Sequence, residues 1–138
     1  MLEYEAPWVV LDPPELAADG VAALVKQLRD LRLDRALICT SFHQSPLPLA
    51  LRLGLDPARP LLHLCSLHLA DDAPHVFEDR WINPGAVPGM DQVDFRHVNA
   101  NEWLVRNAPY ARAEVSFSAA NADARDARML QTRPGQAL

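Results

Sequence analysis

The residues with chemistry to offer gather in two apolar runs. The first, Leu61 to Leu69, sets His63, Cys65, Ser66 and His68 among leucines. The second, His75 to Asn83, sets Glu78, Asp79 and Arg80 between Val76, Phe77, Trp81 and Ile82. Charges inside a strand need solvent, each other or a bound polar molecule. An exposed pair such as Glu78 with Arg80 contributes little to stability. Turned into a hollow, the same pair could hydrogen-bond a small ligand. Further on, Asn99 opens a helix whose N-terminus would suit an anionic group, and Glu114 falls on the wetter face of a later strand. No nucleophile–base pair, metal motif or phosphate loop accompanies these residues. Cys39 and Cys65 lie in separate runs without Cys-x-x-Cys or clustered Cys/His spacing. They are expected as buried thiols, not as zinc ligands or a disulfide. Neither a catalytic residue, a metal nor a cofactor is expected.

The elements that must position these side chains follow from turn chemistry and periodicity. Asp71-Asp72-Ala73-Pro74 breaks the two runs and predicts a β-hairpin. Its register stays open. A three-residue turn sets Ser66 opposite Glu78 and His68 opposite Val76, gathering Ser66, His68, Glu78 and Arg80 on one face. A two-residue turn moves Glu78 to the other face. Upstream, Trp8 to Leu11 is a candidate short strand. Asp12-Pro13-Pro14-Glu15 is a helix start, and Val21, Leu24, Val25, Leu28 and Leu31 or Arg32 recur at helical spacing. Arg35 to Phe42 is a strand by composition. A short helix from Ser45 to Leu53 should cap at Gly54. Asn83 to Gly89 is an irregular loop. Asn99 and Glu102 form a capping box for a helix that stops before Pro109. Ala111 to Ala120 alternates and predicts a strand. Asn121 to Thr132 predicts a helix with Ala124, Ala127 and Leu130 inward, and Arg133 to Leu138 a turn entering a strand. Strands mixed with short helices and hairpin-type links favour an α+β domain over a parallel α/β sheet.

Composition bounds the function. The chain has 138 residues, 49% apolar and 22% charged, enough for one domain with a real core. Its 13 basic residues are outnumbered by 18 acidic ones. It lacks the basic stripe that phosphate contacts need, so direct nucleic-acid binding is not expected. The N-terminus is not a signal peptide, and no apolar run approaches a membrane span, so the cytoplasm is the expected location.

From about Leu49 to Leu138 the chain resembles the UTRA effector-binding domain of GntR-type transcriptional regulators, nearest to the histidine-utilisation-repressor (HutC-like) branch. The resemblance rests on Leu49-Ala-Leu-Arg-Leu-Gly-Leu55, the hairpin turn at Asp72 and Pro74, and Glu78-Asp-Arg-Trp-Ile-Asn-Pro84. Asp94-Phe95, Asn101 and Leu104, Ala108-Pro109, Glu114, Leu130 and Gly135 to Leu138 continue it in order. It implies a UTRA or chorismate-lyase-like fold, α+β, with a mostly antiparallel sheet of about four to six strands and helices packed on it. Residues 1–34 then form an N-terminal segment with one helix, unmatched to the family. Residues 35–138 form the sensing domain, expected to lack the family's last strands and its winged helix-turn-helix.

In that family, two side chains on the first hairpin strand and a carboxylate on the second face the ligand. The spacing carries these onto Ser66, His68 and Glu78, with Arg80, Asn99 and Glu114 as further ligand-binding candidates. Sugar-phosphate sensors resemble this site but with two arginines. A serine and a histidine would suit a singly charged or zwitterionic molecule, urocanate-like or another small carboxylate or amine. The resemblance also implies a homodimer. The alternatives are a chorismate-lyase-like enzyme using His68, Glu78 and Arg80, or a regulator remnant acting only through dimerisation.

Overall fold

The computed structural model describes residues 18–138. The strand expected at residues 8–11 and the helix start at residues 12–15 lie outside the described residues. Helix α1, Ala18–Asp30, follows directly from its spacing. Val21, Leu24, Val25 and Leu28 are buried on one stripe. Leu31 falls outside that stripe at 50% exposure. Arg32 there takes a left-handed conformation (φ 56°), and the Leu33 N–H turns back onto the Leu28 carbonyl.

Strands β1 (Arg35–Gln44), β2 (Pro60–Ala70) and β3 (Ala73–Ile82) form an antiparallel sheet in that order. The central strand β2 is buried on both faces, which explains why its run is almost continuously apolar. On one face Cys39, Cys65 and Leu67 pack against α1 and against Met129 of α4 (Ala124–Met129). On the other, Leu37, Leu62, Leu64 and Ile82 pack against Met90, Phe95 and Leu104, the last from α3 (Ala100–Asn107). Helix α2 (Leu47–Leu53) links β1 to β2 and stops at Gly54, whose φ of 64° supplies the left-handed cap.

The hairpin solves its register in two steps. Asp71 and Asp72 both adopt positive φ and make a two-residue turn, pairing Ala70 with Ala73 and Leu69 with Pro74. That turn alone would send Glu78 to the other face. The pairing then slips by one, so that His68 meets Val76 and Ser66 meets Glu78. The extra residue, His75, makes a bulge beside a proline that has no N–H to donate. The face expected from a longer turn is thus reached by a short turn plus a bulge.

Three expectations need correction. Ala111 to Ala120 is not a strand. Short of Ala120 it lies in no strand of the sheet, leaving Val115 74% and Phe117 96% exposed. Alternation prepares a segment to pair but cannot supply the partner's backbone groups. The sheet accordingly has three strands among the described residues, not four to six. Helix α4 begins at Ala124, not Asn121, because the Ala122 N–H is engaged by the Gln136 carbonyl and Asp123 is the N-cap. Its inward residues are therefore Ala127 and Met129, while Ala124 is exposed and Leu130 half-buried. The terminal turn does enter strand-like pairing, with Ala137 bridged to Asn121 and the Leu138 N–H on the Ala120 carbonyl.

Candidate functional site

The β2–β3 register puts Ser66, His68, Glu78 and Arg80 on the sheet face that carries α3. Ser66 is buried opposite Glu78. Arg80 donates through Nε to Glu78 and through Nη2 to Asn101 Oδ1 at 3.2 Å. It therefore ties β3 to the first turn of α3 while holding Glu78 in place. His68 lies beside this pair, its Nε2 3.7 Å from Glu78 Oε2. That is too long for a hydrogen bond. Among the described residues, His68 Nε2 is shielded from solvent and has no hydrogen-bond partner.

The His68 imidazole stands at the wall of a hollow of about 490 Å³. The start of β1, the end of β2 and α3 enclose it. Asp34, Arg35, His68, Asn99, Glu102 and Arg106 line it. Of the six residues expected to bind ligand, His68 and Asn99 reach its wall. Glu78 and Arg80 stand next to His68, Ser66 is buried opposite Glu78, and Glu114, on the exposed 111–120 stretch, is not among the lining residues. Arg35, Glu102 and Arg106 were missed. Glu102 and Arg106 are four apart, so they share the helix face reached from Asn99, which is a readable signal. Arg35 is the direct cross-strand neighbour of His68, which no local pattern reveals.

Two local features prepare the hollow. The Asn99 side chain accepts from the Asn101 and Glu102 N–H groups at 2.9 and 3.3 Å, so its half of the capping box is formed. Replacing Asn99 by Ala should cost about 1 kcal/mol of folding stability, read from the urea midpoint, and Asn99→Asp should retain most of it. Burial pushes the His68 imidazole below its ordinary value of 6.5; Glu78 and Asp34 oppose the shift, and Arg35 and Arg80 add to it. His68 therefore presents a neutral ring at neutral pH, able to donate from one nitrogen and accept at the other.

A lowered folded pKa means that the unfolded chain takes up the proton first. The His68 contribution is intact above the unfolded value near 6.5. It declines as pH falls from there toward the folded pKa. Denaturation at pH 7.5 and 5.5, conditions of about one unit either side of the free-histidine value, should show a smaller acid loss in His68→Asn than in the parent.

A family model described as the UTRA domain matches residues 41–138. Among solved structures, the C-terminal domain of the histidine utilization repressor from Pseudomonas syringae pv. tomato str. DC3000 is similar, with a TM-score of 0.67 and 23% identity over 75% of this chain and 74% of that one. A regulator from Escherichia coli CFT073 is similar with a TM-score of 0.64 and 18% identity over 75% and 77%. No curated protein sequence matches.

Proposed function

The chain belongs to the UTRA domain family, the effector-binding domains of regulators, and we propose that it is the sensing part of a GntR/HutC-type transcriptional regulator. In this reading residues 35–138 bind a small-molecule effector in the hollow between β2 and α3. Binding then biases DNA recognition by a winged-helix domain, in a cytoplasmic homodimer. The observation that carries the reading is the shielded, unpartnered Nε2 of His68 at the wall of that hollow. A buried polar atom without a partner is costly, and a ligand oxygen or N–H would complete it.

The surrounding charges narrow the ligand class. Arg35 and Arg106 suit a carboxylate, while Glu102 and Asp34 suit an amine or ring N–H. A urocanate-like molecule, or another small carboxylate or amine metabolite, fits this mixed wall better than a phosphate dianion. No helix among the described residues is long and apolar enough to cross a membrane. The reading is a binding domain: the family model and the similar solved structures are regulator domains.

Titration calorimetry with urocanate, histidine, amino sugars and sugar phosphates tests this directly. Saturable binding of a small carboxylate or amine is expected. Binding only of the phosphates would overturn the ligand class, and no binding at all would overturn the sensor reading. Chorismate turnover by the same protein would replace it with the lyase alternative.

A further inference from the structure

The opposite face of the same sheet carries a second polar cluster that plays no part in the effector hollow. Cys39, Cys65 and Asp79 are direct cross-strand partners, one from each strand, and so form a row across the sheet. His63 precedes Cys65 by two residues and shares its face. Both cysteines are free and buried. The ligand atoms of Cys39, His63 and Cys65 all lie within 4.8 Å of one another. Cys65 Sγ is 3.4 Å from His63 Nε2. Metal–sulfur and metal–nitrogen bonds of about 2.3 and 2.0 Å at a tetrahedral angle put S and N about 3.5 Å apart. The pair is already at that separation.

The imidazole is also held in the orientation a ligand needs. Its ring stacks on Trp81 with centroids 4.0 Å apart and planes within 7°. Its Nδ1 meets His43 Nε2 at 3.0 Å, so Nδ1–H can donate to His43 once a metal replaces the proton that Nε2 here donates to Asp79 Oδ1. Asp79 Oδ1 lies 2.7 Å from His63 Nε2, and Asp79 Oδ2 is 3.0 Å from Arg125 Nη1. Arg125 Nη2 also approaches Cys65 Sγ at 3.3 Å. The expectation that these cysteines bind no metal rested on spacing along the chain. Strand pairing, not sequence spacing, brings the donors together.

We propose that Cys39, His63 and Cys65 form a three-ligand site for a thiophilic d10 cation, Zn²⁺ or Cu⁺, with the Asp79 carboxylate alongside His63 as its neighbour. Two thiolates and one imidazole are the donor set such ions select. The charges balance for zinc: two thiolates neutralise the ion, and Arg125 neutralises Asp79. Each thiol that binds releases its proton to solvent. Access is from the β3 edge, where the Asp79 side chain is 36% exposed and that of His63 14%. The bound ion would clamp β1 to β2 behind the effector hollow.

The test uses the full chain, reduced and metal-free under anaerobic conditions. Zn²⁺, Cu⁺ under a chelating competitor and Co²⁺ as a spectroscopic stand-in are added separately. The expected result is one ion per chain by native mass spectrometry, with Co²⁺ showing thiolate charge-transfer and tetrahedral ligand-field bands. Competition between Zn²⁺ and Cu⁺ then decides which ion the site prefers. Cys39→Ala and Cys65→Ala should lose the ion and the Co²⁺ spectrum. Asp79→Asn should keep the fold and weaken binding about 10–100-fold. Circular dichroism checks that each variant is folded, and His63→Gln serves where a cysteine variant is not. Failure of the reduced, folded protein to bind one ion would overturn the proposal. So would unchanged binding in Cys39→Ala or His63→Gln, or a Cys39–Cys65 disulfide whose reduction yields no metal affinity.

Discussion

Replacing Leu64 by Ala is expected to destabilise the fold by about 2–5 kcal/mol, a large share of the roughly 5–15 kcal/mol that holds such a domain together. Leu64 is 1% exposed on the central strand. It packs in the cluster formed by Leu37, Leu62, Ile82, Phe95 and Leu104. The β-sheet on one side and α3 on the other restrict collapse into the vacated space, so both the lost transfer energy and the cavity are felt. The measurement is the urea midpoint with the slope unchanged. Leu51, at 66% exposure on α2, is the control. Leu51→Ala should change stability by no more than about 0.5 kcal/mol. Similar losses at both positions would show that the α3-face cluster does not form the core described here.

The second large effect is ligand-dependent. Under the proposed reading, an effector at 100 times its dissociation constant stabilises the folded chain by about 2.7 kcal/mol. Thermal unfolding with and without ligand reads this as a clear rise in midpoint. His68→Ala should abolish most of the rise. The variant removes a shielded polar atom that lacks a hydrogen-bond partner, so its ligand-free stability should fall little while affinity falls at least about tenfold, the equivalent of 1.4 kcal/mol. Glu114→Gln should leave the ligand response intact, because Glu114 lies on the exposed 111–120 stretch, away from the hollow. A ligand response that survives His68→Ala would move the binding site elsewhere.

Several elements could be read without coordinates because their signals are local. The Val21, Leu24, Val25, Leu28 stripe sets α1, and Asn99 before α3 and Gly54 after α2 mark helix ends by capping chemistry. The hairpin was legible from its Asp-Asp-Ala-Pro break. The register was not, because it depends on a one-residue slip at His75, and a bulge has no compositional mark. The 111–120 stretch misled for a related reason. Its alternation is a property of the chain, whereas a strand is a property of a pair.

The candidate sites divide along the same line. His68 and Asn99 could be named from sequence and both reach the hollow, yet Arg35 arrives only through β1–β2 pairing. The Cys39–His63–Cys65 cluster shows the limit most clearly, since its donors come from two strands 24 residues apart at their nearest, counted from Cys39 to His63. What the sequence determined by itself was class, helix ends, the hairpin and the polar character of its strands, all governed by neighbours within a few residues. What only the tertiary structure decided was which polar side chains face the same way. That depends on register and on which helix covers each face of the sheet, and both are settled by burying apolar surface across the whole chain.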